Sequence, residues 1–434
     1  MSDYMFMLES HLSADQNRAV EQVQAAAGAA GLNLFLTGGA MRDMLGGFQI
    51  RDLDFSVEGN ALKVAHALGE NPGVRTVSVD EYRRTTELVF PGGVTAQVGR
   101  LRCEHYPKAG AKPQVSPATI REDLLGRDFT VNAMALSLSR ASRGLLLDPA
   151  NGLADLERHE LRSTHSSVFY DDPVRMLRLV RLRVRLNFSV EEKTRNQYDS
   201  ACAQHFETRI SPHSLFQELK QIAEEQAVSE VVRALAEDGL LSLFSPALAG
   251  PKLNQASLAK MEKAERMLDS ANSLDGARLG PFLLTLTAKL SPKEKSAFIK
   301  AMEIPRSETE RWRTLEARSR KLEQGIKSPR LRKPSQVYEV LSDAPHDEMV
   351  YLLCNSAQRI VQERIRNYVQ KYLPVMQEVP QSEWDALEGR PGTPKYVKSR
   401  HALVAARLDV RPPKPPEPDV EIPVEAVARG RARV

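Results

Sequence analysis

Two aspartates one residue apart, Asp52 and Asp54, stand in the short run Arg51-Asp52-Leu53-Asp54-Phe55. In a strand, side chains i and i+2 share a face, so the two carboxylates point together while Leu53 faces the other way. Carboxylates held side by side repel unless a cation lies between them, and hard oxygen donors with an open shell suit Mg²⁺. Just upstream, the apolar run Leu34-Phe35-Leu36-Thr37 enters Gly38-Gly39, and a helix-like segment follows with Arg42 in its first turn. A glycine turn lets backbone N–H groups close on an anion. A phosphate cradle beside metal-holding carboxylates implies nucleotidyl transfer from a triphosphate.

A second stretch, Asp171-Asp172-Pro173-Val174-Arg175, opens a helix, with Asp172 as the N-cap and Pro173 as the first helical residue. Arg175, Arg178, Arg181 and Arg185 recur every three or four residues and share one face. No acidic residue follows Asp172 in this helix, so the stripe calls for an anion, here a triphosphate or an RNA backbone. Asp172 and Arg175 also form a pair able to read a base. Cytosine and adenine each carry an amino donor beside a ring-nitrogen acceptor. A carboxylate accepts from the first and a guanidinium donates to the second. Uracil and guanine would instead turn a carbonyl toward the carboxylate, so one Asp/Arg pair can select C and A without a template. Between the two stretches, Arg127 in Arg127-Asp128-Phe129-Thr130-Val131-Asn132-Ala133 can reach a triphosphate. Taken in isolation, an ordinary surface ion pair with Asp123 or Asp128 is the simpler account of it.

The elements that must position these residues follow from periodicity and turn chemistry. Residues 10–30 read as a helix, with Ser13 and Gln16 at capping-box spacing and Gly31 just past its end. Strands are expected at 32–36, 50–57, 74–79, 85–90 and 94–99, with short helices after Gly39 and over 61–69. Residues 103–118, with Pro107, Pro113 and Pro117, read as a loop. From about 140 the strand-like runs stop and helical periodicity continues to about 373. Residues 411–434 hold six prolines and no aromatics, a composition that cannot bury enough to fold.

The 434 residues suffice for several domains and a sizeable core. The net charge is only +4. Residues 311–333 nevertheless concentrate Arg311, Arg313, Arg318, Arg320, Lys321, Lys327, Arg330, Arg332 and Lys333. Such clustering suits a polyanion, although a solvated helix face accounts for it as well. Cys103, Cys202 and Cys354 are too few and too scattered for a disulfide framework or a zinc site. No apolar run approaches the ~20 residues of a membrane span, and no signal peptide is evident. The expected location is the cytoplasm.

Taken together, the Gly38–Asp43 turn, the Asp52/Asp54 pair, the Arg127–Ala133 stretch and Asp171–Arg175 resemble the class II tRNA nucleotidyltransferase and bacterial poly(A) polymerase family. The link Asp148-Pro149-Ala150-Asn151-Gly152 fits as well, and Asp385–Gly392 is a weaker echo of the C-terminal region of CCA-adding enzymes. The resemblance implies an α/β head with a polymerase-β-like palm, followed by an all-α neck, body and tail. The corresponding divisions are 1–138 for the head, 139–232 for the neck, 233–373 for the body and 374–410 for the tail, with a disordered segment at 411–434. Asp52 and Asp54 would bind Mg²⁺ and carry the chemistry. Gly38, Gly39, Arg42 and Arg127 would hold the triphosphate of CTP or ATP. Asp172 and Arg175 would read the base, with Arg178 and Arg181 nearby, and the helical remainder would grip tRNA by its backbone. The implied activity is addition of C and/or A to the tRNA 3′ end. A poly(A) polymerase and a non-catalytic RNA-binding relative are the competitors. The chain departs from the family pattern at Gln97, where an aspartate is usual, at Gly126 in place of an arginine, at Asp171 in place of a glutamate, and at Ser214 four residues before Glu218.

Overall fold

The computed structural model describes residues 3–269 and 278–409. The expected disordered segment 411–434 lies outside the described residues. The chain divides into two compact units, one of residues up to 324 with 344–362, the other of 325–343 with the residues from 363 onward.

The first unit begins with helices α1 (Asp3–His11) and α2 (Ala14–Ala29). The single helix expected at 10–30 is therefore interrupted. Ser13 caps α2 through a reciprocal bond with Gln16, and the helix cannot run back through its own cap. Then come β1 (Asn33–Thr37), α3 (Gly39–Leu45), β2 (Leu53–Glu58), α4 (Ala61–Gly69), β3 (Arg75–Asp80), β4 (Thr85–Phe90) and β5 (Val94–Arg100). β8 (Ala135–Ser137) and β9 (Leu146–Leu147), farther along the chain, complete a seven-stranded sheet of order β3-β4-β5-β2-β1-β8-β9. β1 runs antiparallel to β2, with Thr37 opposite Asp54, and β2 runs parallel to β5, with Asp54 opposite Gln97. Leu53, Phe55 and Val57 are buried on one face of β2, which leaves Asp54 and Ser56 for the other.

Residues 103–118 are not a plain loop. Strands β6 (Arg102–His105) and β7 (Gln114–Pro117) pair antiparallel as a separate hairpin. Its prolines stand in the connection and at the end of β7, where no ladder donor is lost. After it, α5 (Ile120–Leu125) leads into Phe129–Ala135, whose apolar side chains are fully buried. α6 (Gly152–Glu157) starts where the Asp148 carboxylate accepts from the Gly152 and Leu153 N–H groups, at 2.7 and 2.9 Å. A Cβ at Gly152 would lie 2.1 Å from the Thr130 carbonyl oxygen, so only glycine lets these segments meet.

Beyond 140 the chain is mainly helical, but two-residue strands β10 (Glu160–Leu161) and β11 (Ser189–Val190) pair in parallel. They are too short to register as periodicity. The helices are α7 (Val168–Asp171), α8 (Val174–Leu186), α9 (Glu192–Ala203), α10 (Pro212–Ala223) and α11 (Val228–Glu237). Further along lie α12 (Gln255–Asp269), α13 (Leu279–Leu286), α14 (Pro292–Ala301), α15 (Arg306–Ile326), α16 (Pro334–Ser342), α17 (His346–Asn355) and α18 (Arg359–Asn367). The second unit ends in α19 (Leu373–Gln377), α20 (Gln381–Asp385) and α21 (Pro394–Leu408). Within it, the Asp409 carboxylate accepts from both the Ser335 N–H and hydroxyl, at 3.0 and 2.8 Å. No helix of the described residues is long and apolar enough to cross a membrane.

Candidate active site

β2 begins at Leu53, one residue later than the face-sharing argument requires, so Asp52 stands at the strand's threshold and is exposed. Its carboxylate is nevertheless held: Thr95 on β5 donates to Asp52 Oδ1 at 2.5 Å. Asp54 is half-buried, and burial followed by the charge of Asp52 pushes its carboxyl up to about 6. Arg127, Arg42 and the Gly39 N–H pull in the opposite direction. This donor set fits a divalent cation: two carboxylates that raise one another's energy are relieved by positive charge between them. Among the described residues no cluster of three or more His, Cys, Asp or Glu side chains could hold a metal. A bound ion would therefore rest on Asp52 and Asp54 and complete its shell from substrate and water, as Mg²⁺ commonly does. Gln97, opposite Asp54, supplies no third carboxylate.

The Gly38–Gly39 turn closes over the same point. Gly38 has φ +67°, and a Cβ there would sit 3.0 Å from both Arg127 Nη1 and Asp54 Oδ2. Turn backbone, guanidinium and carboxylate thus converge. Arg127 also donates through Nη2 to Asp123 Oδ1 at 2.9 Å and to Ser56 Oγ at 3.3 Å. The ion pair with Asp123 foreseen for a surface arginine exists, but as a half-buried brace that aims the guanidinium at Asp54. Arg42 is 4% exposed and lies beneath the turn. Its Nε and Nη2 donate to Asp43 Oδ1 at 2.9 and 2.7 Å, and its Nη1 donates to Asn132 Oδ1 at 2.7 Å. Arg42 therefore stiffens the turn from below.

At the start of α8, Pro173 already has helical dihedrals while Asp172 is extended. Asp172 accepts from the Val174 N–H at 3.4 Å through Oδ1 and from the Arg175 N–H at 3.0 Å through its carbonyl. Arg175 is 7% exposed, and its Nη2 donates to the Gly126 carbonyl at 3.0 Å. Its Nη1 is buried and makes no hydrogen bond to any group of the protein. Tyr106, from the β6–β7 hairpin, stands close enough to this pair that Asp172 is the strongest influence after burial in pushing its phenol above the ordinary range.

The rest of the stripe departs from expectation, because it does have acidic partners. Arg178 Nη1 donates to Asp128 Oδ2 at 2.7 Å. Arg181 donates to Glu218 Oε1 at 2.6 Å and to Glu225 Oε1 at 2.9 Å. Arg185 Nη2 donates to Asp43 Oδ2 at 2.7 Å. Burial would raise the Asp128 carboxyl, but Arg178 and Arg175 outweigh it and hold the group well below the usual carboxylate range. Arg181, 6% exposed, is committed to carboxylates rather than presented to a ligand. Asp43 and Glu218 lie on other helices and Asp128 and Glu225 in connections between elements, so the sequence of α8 alone hides them. Sequence reasoning also missed Thr95 and Tyr106. The one available signal for Thr95 was its place two residues before Gln97, on the strand edge facing the aspartates.

Residues 34–162 match the model of the poly A polymerase head domain. The A-adding tRNA nucleotidyltransferase of Aquifex aeolicus is 30% identical over 357 residues, which is 78% of this chain and 40% of that protein. The CC-adding tRNA nucleotidyltransferase of Deinococcus radiodurans is 37% identical over 202 residues, 46% of this chain and 53% of that one. The chain thus spans about half or less of the length of these curated relatives. In fold, the chain is similar to a solved CCA-adding enzyme in its apo form II, with a TM-score of 0.53 at 23% identity, covering 95% of this chain and 96% of that one. Residues 34–162, the part that matches the poly A polymerase head-domain model, carry the turn, the paired aspartates and Arg127, and the likeness to tRNA nucleotidyltransferases extends beyond them.

Proposed function

We propose that this protein is a template-independent nucleotidyltransferase that adds C and/or A to the 3′ end of tRNA in the cytoplasm, using CTP and ATP with Mg²⁺ and releasing pyrophosphate. The observation that carries the reading is the convergence at Gly38. Arg127 Nη1 and Asp54 Oδ2 lie equally close to where its Cβ would stand, so an anion subsite and a cation subsite share one wall. That juxtaposition suits attack on an α-phosphate. The relatives named as A-adding and CC-adding enzymes support the choice of substrate.

Bound Mg²⁺ would lower the pKa of the attacking 3′-hydroxyl and shield the phosphates. The protein's own groups do the rest. Asp52 and Asp54 hold the ion, with Asp52 oriented by Thr95. Gly38, Gly39 and Arg127 neutralise charge growing on the leaving pyrophosphate, and Arg42 keeps the turn in place. Arg175 Nη1 donates to the ring nitrogen of C or A while Asp172 accepts from the amino group; Arg178 and Arg181 hold α8 in register. Residues 1–138 serve as the catalytic head, 139–232 as the nucleotide-reading neck, 233–373 as the body and 374–410 as a tRNA-binding tail.

The test offers labelled CTP or ATP with three tRNAs: one lacking all of CCA, one ending after the second C, and one complete. Incorporation is expected on at least one of the two shortened tRNAs, with none from UTP or GTP. The variant Asp54→Ala should abolish it without loss of helical signal. Undiminished incorporation by that variant would remove the assignment. Efficient extension of an unstructured RNA with ATP alone would favour poly(A) synthesis instead.

A further inference from the structure

Two routes of buried and part-buried side-chain contacts connect the Gly38–Gly39 turn to the base-reading helix. The first is short. Asp43 accepts from Arg42 through Oδ1 and from Arg185 through Oδ2, both at 2.7 Å. The second runs from Arg42 to Asn132 at 2.7 Å, from Asn132 to Asp128 at 2.9 Å, and from Arg178 to Asp128 at 2.7 Å. Both routes begin at α3, beneath the triphosphate turn, and both end on α8, whose first turn carries Arg175 and which Asp172 precedes by two residues. Asp43 and Asp128 are 2% and 5% exposed, so neither is a solvated surface carboxylate.

The geometry of these ties has a consequence for ligand choice. A nucleotide bridges two subsites, and it gains from both only if their separation matches its own length. α3 belongs to the sheet-based part and α8 to the helical part, and nothing in either element's own backbone fixes the spacing between them. A rigid double tie does. Arg185 lies at the far end of α8 from Arg175, so it controls the tilt of the helix without reaching the base. Burial first, and then the charge of Arg42, lower the Arg185 guanidinium to about 10, consistent with its place against the underside of the cradle.

We infer that Asp43 and Arg185 are positioning residues that set the distance between the triphosphate cradle and the base-reading pair. The inference rests on the functional reading above and deepens it: nucleotide choice depends on a spacing as well as on Asp172 and Arg175. Replacing Arg185 leaves Arg42 bonded to Asp43 Oδ1 and Asn132, so the cradle itself survives.

The test compares two probes by calorimetric titration in Mg²⁺ with no RNA present. CTP must span both subsites, whereas inorganic tripolyphosphate uses the cradle alone. For Arg185→Met, CTP affinity should fall roughly tenfold while tripolyphosphate affinity stays within about twofold of wild type. Arg185→Lys, which keeps a cation within reach of Asp43, should recover most of the CTP affinity. In turnover, Arg185→Met should raise KM for CTP and ATP more than it lowers kcat, and should admit more UTP. Equal loss for both probes, or unchanged CTP affinity with only a lower Tm, would overturn the inference. If Arg185→Met does not fold, Arg185→Gln decides by the same two probes: parallel loss of both ligands, or no loss of either, overturns the inference, and loss confined to CTP supports it. Failure of wild type to bind CTP at all would count against the functional reading and would take this inference with it. Intact CTP binding by wild type with no effect of Arg185→Met removes the positioning role alone.

Discussion

The site depends on atoms that are absent as much as on those present. At Gly38 the positive φ and the two contacts at 3.0 Å leave no room for a methyl group. Gly38→Ala is expected to lower kcat/KM for CTP or ATP by roughly 100-fold, because the turn must retreat from Arg127 and Asp54. Circular dichroism should remain near wild type, and steady-state kinetics checks the loss. Gly38, Asp52 and Asp54 were legible in the sequence because their chemistry is local: a turn and a pair of carboxylates declare themselves within a few residues. Arg185 and Asp43 were not legible as partners, since 142 positions separate them. A stripe of arginines with no acid in its own helix looks unpaired until the surrounding helices and connections are in place. Thr95 was hidden for the same reason, 43 positions from the aspartate it orients.

Among the elements, the β6–β7 hairpin is the one the sequence concealed. Proline-rich composition pointed to a loop, yet cross-strand pairing and a charged cluster hold it together. Glu104 accepts from Arg102 Nε at 2.8 Å, Arg83 Nε at 3.0 Å and the Tyr106 hydroxyl at 2.6 Å. Burial alone would raise this carboxyl, but Arg102, Tyr106 and Arg83 bring it down to about 2 from the ordinary 4.5. The sign follows directly. A depressed carboxyl stabilises the fold fully above its unfolded value, and that contribution is lost as pH falls from about 4.5 toward 2. Glu104→Gln should therefore cost about 1–3 kcal/mol at pH 7. The gap from wild type should close as pH approaches 2, read from denaturant melts across that range. Tyr106 is anchored by Glu104, so the same variant should weaken CTP binding if the hairpin supports the base-reading pair. The sheet strands β1 to β5, by contrast, were legible to within a few residues, because Gly/Pro turns bound them in the chain itself, whereas β8 and β9, of three and two residues, were not.

At the level of the whole molecule, charge is distributed unevenly and much of it is spent internally. Arg318, in the basic stretch of α15, donates to Glu348 Oε1 at 2.6 Å and Asp347 Oδ2 at 3.0 Å, so it belongs to the fold. Arg313 and Lys321 are exposed on the same helix. Replacing both by glutamine should weaken tRNA binding several-fold at low salt and reduce the slope of log K against log salt by roughly one unit per contact removed. Filter binding at several ionic strengths checks this, and an unchanged slope would assign both residues to the solvated surface. Composition could reveal the cluster but not which members are free to meet a polyanion, because pairing is decided by α17, which lies later in the chain.

The bare Nη1 of Arg175 gives the ligand-free protein an unusual interior. A cationic nitrogen sits inside the protein, at the start of α8, without a protein acceptor, a condition that costs about 1–3 kcal/mol relative to one in which the bond is made. On the proposed function, an incoming base would supply the acceptor that the protein itself does not. In that sense the proposed reading would have C and A recognised as missing fragments of the protein's own core. Uracil and guanine would fail for the reason a badly chosen core substitution fails: they enclose a polar group with nothing to satisfy it.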